Sequence, residues 1–144
     1  MNKSILVIAI LAVAIIILAV ILFLPKDMLT PGQQNSAGGI TVSLPVANQV
    51  ITSPLKITGT VNGDGWIGFE AQVGTVKLLD DAGNVLGFGI LTAQGEWMQQ
   101  VINFETTLTF KPTTKDSGSL VFYNENPSGE AERNKTFILP VKFK

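Results

Sequence analysis

The chain contains no cysteine and no histidine. Without cysteine there is no disulfide, no thiol nucleophile and no lipid-modified cysteine at a processed amino terminus. Without histidine the Ser-His and Cys-His nucleophile pairs are excluded, and with both residues missing so is nearly every zinc site. Charge is also scarce. Ten basic and eleven acidic side chains nearly cancel to a net −1. A nucleic-acid partner needs a basic stripe to neutralise phosphates, so none is expected.

One long run is present where charge is missing. Ile5 to Leu24 is apolar throughout, and only Ala9, Ala12, Ala14 and Ala19 depart from Leu, Ile, Val and Phe. A helix of that length rises roughly 30 Å, enough to cross the hydrocarbon core of a bilayer. A cleaved signal peptide has a shorter apolar core, roughly 7–15 residues, and a small-residue cleavage site. Here Ala12-Val13-Ala14 is followed by ten further apolar residues. The expectation is an uncleaved signal anchor over residues 1–24, a single membrane pass. Lys3 and the free amino group precede it, and Lys26 with Asp27 follow, so the body of the chain is expected on the extracytoplasmic side. Pro25 ends the helix. Residues 25–39 are polar and rich in Pro, Gly, Gln and Ser, and read as a flexible linker.

From Ile40 the period changes to two. Ile40, Val42 and Leu44 alternate with polar neighbours, as do Leu55, Ile57 and Val61, and then Phe69, Ala71 and Val73. The phase slips at Gly74, as a β-bulge allows, and Val76 and Leu78 carry on. Further sets follow at Leu86, Phe88 and Ile90; Phe104, Leu108 and Phe110; Leu120 and Phe122; and Phe137, Leu139, Val141 and Phe143. Turn signals separate them at Pro45–Gln49, Asn62–Gly65, Asp80–Asn84, Asp116–Gly118 and Asn124–Gly129. No 3.6-residue period persists after Pro25. Seven or eight strands with one apolar face each describe an all-β, immunoglobulin-like antiparallel β-sandwich over residues 40–144; a closed barrel is the alternative. Phe69, Trp97, Phe110, Phe122 and Leu139 are expected in its core.

Several residue groups go beyond a generic sandwich: Phe69-Glu70-Ala71, Leu79-Asp80 with Gly83, Gly95-Glu96-Trp97-Met98, Leu108-Thr109-Phe110, Asn126-Pro127-Ser128-Gly129-Glu130 and Ile138-Leu139-Pro140-Val141. In order and spacing they resemble the immunoglobulin-like domain of the bacterial sporulation and spore-germination family, the Gmad type. The resemblance implies an extracytoplasmic accessory module, and it brings no catalytic residue to this chain. Such domains often accompany a second germination-type domain or a lipid anchor. Here the module stands alone behind a peptide anchor.

Two loops concentrate polar or aromatic side chains on turns. Trp66 and Ile67 lie in a glycine-rich stretch, where an exposed indole stacks on a partner or a buried one caps the sandwich. Asn124, Asn126, Ser128 and Glu130, with Glu132 nearby, form the richest polar segment: it suits a cation or a saccharide, or it is a long turn whose Asn side chains close the backbone and whose Pro127 fixes it. Asp80-Asp81-Ala82-Gly83-Asn84 carries oxygen ligands of the kind calcium takes, but it also reads as a hairpin turn, and its spacing is not that of a calcium loop. Glycosidase chemistry needs two opposed carboxylates. Asp80 and Asp81 are adjacent and point apart, and Glu96 and Glu105 share one irregular strand. No enzyme activity, cofactor or metal is expected. The expected role is a membrane-anchored module that contacts another envelope protein or a cell-wall polymer. The alternative is a subunit of a pilin-like or secretion-type assembly, although the processing site and early glutamate of pilin helices are not visible.

Overall fold

The computed structural model describes residues 35–143. The apolar run Ile5–Leu24 and most of the expected linker lie outside the described residues. Among the described residues no helix is long and apolar enough to cross a membrane.

Eight strands form the body: β1 (Ser36–Ala37), β2 (Ile40–Leu44), β3 (Leu55–Val61), β4 (Gln72–Asp80), β5 (Val85–Ala93), β6 (Ile102–Leu108), β7 (Ser117–Asn124) and β8 (Thr136–Lys142). They hydrogen-bond in the order β1-β2-β3-β6-β5-β4-β7-β8, each pair antiparallel. β5 runs beside β4 from Gln72–Thr92 to Leu79–Val85, yet it meets β6 only at Thr92–Glu105 and Ala93–Phe104. At that short junction the ladder folds over. The inward faces of β2, β3 and β6 then share one core with those of β4, β7 and β8: Ile57, Val61 and Phe104 lie in the same buried cluster as Val76, Phe122 and Leu139. This is the expected immunoglobulin-like sandwich.

The segment after β2 joins the two outer edges. Ile51 N–H donates to the Lys142 carbonyl and Lys142 N–H donates to the Gln49 carbonyl, both at 2.9 Å, a short parallel pairing along β8. That covers an edge otherwise open to other chains.

The phase slip at Gly74 is a bulge in the β4–β5 register. Val73 faces the core before it, and Val76 and Leu78 face it afterwards. Gly74 has φ +147°, and a Cβ there would stand 2.2 Å from the Tyr123 carbonyl oxygen. Only glycine fits, so this residue sets the phase of everything downstream in β4.

Four expectations change. The ordered domain begins before Ile40: β1 pairs with β2, and the Asn35 carbonyl accepts from Val42 N–H at 2.7 Å. Phe69 is 42% exposed, because β4 starts at Gln72. Residues 69–72 form a tight reversal instead, with Glu70 at φ 47° and Ala71 at φ 66°. The apolar set on β5 is inverted. Phe88 and Ile90 face outward, while Leu91 and Ala93 face the core. Gly87 and Gly89 occupy the inward phase, since side chains there would press on Phe110, Thr106 and Leu108 from the facing sheet. Trp97 and Phe110 are only half-buried, packed against the core rather than within it. Phe122 and Leu139 are fully buried, as expected.

Candidate functional site

The antiparallel registers fix which loops share an end. β3 ends at Val61 opposite Ile102, the start of β6; Gln72 opens β4 opposite Thr92; and Asn124 closes β7 opposite Gly74. Loops 62–71, 94–101 and 124–135 therefore stand together. Ile40 pairs with Val61, so β2 begins at this end, and β1 runs up to it from Asn35, which lies beside Val42. The Asp80–Asn84 turn and the end of β8 lie at the other end.

Between the 62–71 and 124–135 loops lies an open pocket of about 370 Å³, lined by Gly65, Ile67, Asn126, Pro127, Glu132 and Lys135 among others. Asn124 holds its two walls together. Its Nδ2 donates to the Gly65 carbonyl at 2.6 Å and to the Arg133 carbonyl at 3.0 Å, and its Oδ1 accepts from Lys135 N–H at 2.8 Å. Asn126 closes the upper turn in the same way. Its Nδ2 donates to the Glu130 carbonyl and to Asn134 Oδ1, both at 2.8 Å, while its Oδ1 accepts from Ser128 Oγ at 2.7 Å. Glu130 pairs with Arg133 across a 3₁₀ turn, Ala131–Arg133.

Two of the alternatives are decided here. Asn124, Asn126 and Ser128 spend their hydrogen bonds building the loop, because a turn this long has backbone groups that no strand satisfies. The rest of the lining is Glu125, Glu132, Arg133 and Lys135, with Ile67 and Pro127 as its apolar members. Trp66 is 2% exposed and belongs to the core, so it caps the sandwich and is not an accessible stacking platform. The turn that buries it is closed by Trp66 N–H donating to the Gly63 carbonyl, with Asp64 and Gly65 at positive φ. Ile67, next to it, is exposed.

Sequence reasoning missed Arg133 and Lys135 as pocket residues, and no local signal marks them. Gly65, from the first loop, lines the pocket and is bonded to Asn124. A second groove was missed as well. It runs between loops 62–68 and 97–102, with Trp66 and Trp97 in its lining and Ile67 and Met98 on its rim.

The Asp80 turn carries no ligand geometry. Asp80 Oδ1 accepts from Asn84 N–H at 2.8 Å and from Ala82 N–H at 3.0 Å, and its Oδ2 accepts from Asn84 Nδ2 at 2.9 Å. The Asn84 amide, followed by these backbone donors, holds the Asp80 carboxyl below its ordinary range. Among the described residues no three His, Cys, Asp or Glu side chains converge as a metal site would require. No buried side-chain polar atom there lacks a partner.

A family model for the immunoglobulin-like domain of bacterial spore germination matches residues 39–131. The chain belongs to that family. The match spans β2 to β7 and the 124–131 part of the polar loop. It stops short of β8, which nonetheless pairs with β7 along its length. No curated protein and no solved structure matches the chain. Family membership agrees with the all-β, almost helix-free domain described above. It brings no ligand, partner or reaction with it.

Proposed function

We propose that this protein is a non-enzymatic module, anchored in the cell membrane by residues 5–24, whose immunoglobulin-like domain stands on the extracytoplasmic side. Its role is to contact another envelope protein or a cell-wall polymer. The anchor rests on the length and apolarity of the run, and the binding role on the loop end.

One observation carries the choice of site. The pocket walls are fixed from within, by Asn124 and Asn126, before any partner arrives. Preorganised loops on a rigid sandwich lose little entropy on binding. The pocket presents an apolar strip flanked by carboxylates and an ammonium. It suits short-range hydrogen bonding and packing, and a net charge of −1 offers little long-range steering.

Site-specific photo-crosslinking in intact cells tests this reading. A photoreactive residue at Glu132 is expected to capture a distinct envelope species that the same residue at Ala82, at the opposite end, does not. Identical capture from both positions, or none from Glu132, overturns it.

A further inference from the structure

The two sheets of the sandwich differ in what they present to solvent. On β2, β3 and β6 the outward positions are polar, among them Thr41, Lys56, Thr58, Asn103 and Glu105, with Lys56 Nζ 3.0 Å from the Glu105 carboxylate. That is the usual solvated face of an antiparallel sheet. On β5, β4, β7 and β8 the outward face is largely apolar. The strand registers set one row across it as Phe88, Lys77, Val121 and Ile138. The row on one side is Ile90, Thr75, Tyr123 and Thr136; the row on the other is Val85, Leu79, Ser119 and Pro140. Phe88 is 55% exposed and Ile138 58%. Val121 is buried yet stands outside the core cluster, so its neighbours on this outward face cover it.

These three rows hold a single charge, Lys77, and its ammonium lies 5.2 Å from the centroid of the Tyr123 ring, a cation–π contact made on the face itself. Four strands at their usual spacing make the face roughly 20 Å across and roughly 25 Å long, an area of roughly 500 Å². A patch of that size ranks with the largest on a typical monomer and marks an interaction surface. Two such faces in contact cover roughly 1,000 Å², the lower bound for a specific and reversible association.

We propose that this face pairs with the same face of a second copy of the chain, sheet on sheet. Identical faces can meet about a two-fold axis in two ways. An axis across the strands sets Lys77 directly on its own copy, two like charges in a desolvated contact. An axis along the strands, between β4 and β7, sets β5 of one copy over β8 of the other. Phe88 then packs on Ile138 of the second copy and Lys77 on Val121, so apolar groups meet and the ammonium keeps its place over Tyr123. Charge thereby selects the second arrangement. Sheets packed this way stand about 10 Å apart with their strands nearly aligned. The pairing is made on strands and needs neither the loop-end pocket nor the membrane anchor.

The chain has no cysteine of its own, so each introduced cysteine is a single reactive position. Phe88→Cys, Ile138→Cys and, as the control on the other sheet, Thr58→Cys are made in the full chain in detergent micelles, and circular dichroism checks each fold. A bis-maleimide reagent that spans about 10 Å, the separation of packed sheets, is added to each variant alone and to the Phe88→Cys and Ile138→Cys mixture. The expected result is a covalent dimer from the mixture. Either variant alone is expected to give little, because like positions lie a further three strand spacings apart across the axis, roughly 14 Å. A mixture that links no better than Thr58→Cys overturns the pairing. Linkage of Phe88→Cys to itself as strong as in the mixture overturns the axis along the strands. Sedimentation tests the face without any cysteine: Phe88→Ser with Ile138→Ser is expected to weaken self-association at least tenfold, and unchanged association overturns the proposal. A chain that stays monomeric while Phe88→Cys resists a water-soluble thiol reagent in intact cells overturns the second copy in favour of a different partner.

Discussion

Asn124 Nδ2 donates to the carbonyl of Gly65 at 2.6 Å, joining two loops whose residues lie 59 apart in sequence. The same amide group also ties down Arg133 and Lys135. One side chain thereby fixes both walls of the pocket.

Asn124→Ala removes three hydrogen bonds and leaves their backbone partners to water. A loss of about 1–3 kcal/mol in unfolding free energy is expected. Faster amide exchange at Lys135 is expected too. Denaturant melts and hydrogen exchange check both. Asn124→Asp keeps the acceptor toward Lys135 N–H but sets a carboxylate oxygen against the Gly65 and Arg133 carbonyls, so its loss should be at least that of Asn124→Ala.

Trp66 and Phe88 make a contrasting pair. Trp66→Ala empties a core position at the loop end and is expected to cost about 3–5 kcal/mol. Phe88→Ser, on the outward face of β5, is expected to change stability by no more than about 0.5 kcal/mol. Chemical denaturation of the two variants measures the difference.

Gly74→Ala places a Cβ against the Tyr123 carbonyl at a positive φ. It is expected to destabilise by more than about 1 kcal/mol, well beyond the usual effect of replacing a glycine. A normal melting temperature would mean that the bulge relaxes.

Asp80 makes stability depend on pH. Its carboxyl is held below the ordinary value of 3.8, chiefly by the Asn84 side chain. A lowered folded-state value favours the native state above the unfolded-state pKa. That contribution fades as pH falls below 3.8 and is gone once the folded carboxyl is itself protonated. Asp80→Asn is expected to melt lower than wild type at pH 7, with the gap narrowing toward acid. Thermal melts across that range check it.

A fragment that starts at Gln33 is expected to melt higher than one that starts at Ile40. The shorter one loses β1, the Asn35 carbonyl that accepts from Val42 N–H, and the Asn35 Oδ1 that accepts from Ala47 N–H at 2.9 Å. Calorimetry of the two fragments compares them.

Most of the strands were legible because alternation survives wherever one face is buried and the other is wet. β3, Leu55–Val61, and β8, Thr136–Lys142, follow it residue by residue. Alternation failed where small residues faced inward. On β5 the large side chains Phe88 and Ile90 imitate a core face, while Gly87 and Gly89 let the facing sheet approach. It also failed at Phe69, because nothing local announces that Glu70 and Ala71 take left-handed backbone. Of the candidate site residues, the sequence marked a loop rich in side-chain amides and left two readings of it open, a ligand site or a turn closed by its own Asn side chains. A side chain that satisfies its own turn and one that waits for a ligand have the same composition.

The sequence alone determined the all-β class, most of the strand positions, the bulge at Gly74 and the family, since each rests on local periodicity, glycine placement or a linear motif. It also ruled out thiol and imidazole chemistry by composition. Only the tertiary structure decided that Trp66 is core, that Asn124 is a brace between two loops, and that Ile67 and Met98 line one groove. These are relations between segments tens of residues apart. They exist only once strand pairing brings the loops to one end, and no local pattern encodes them.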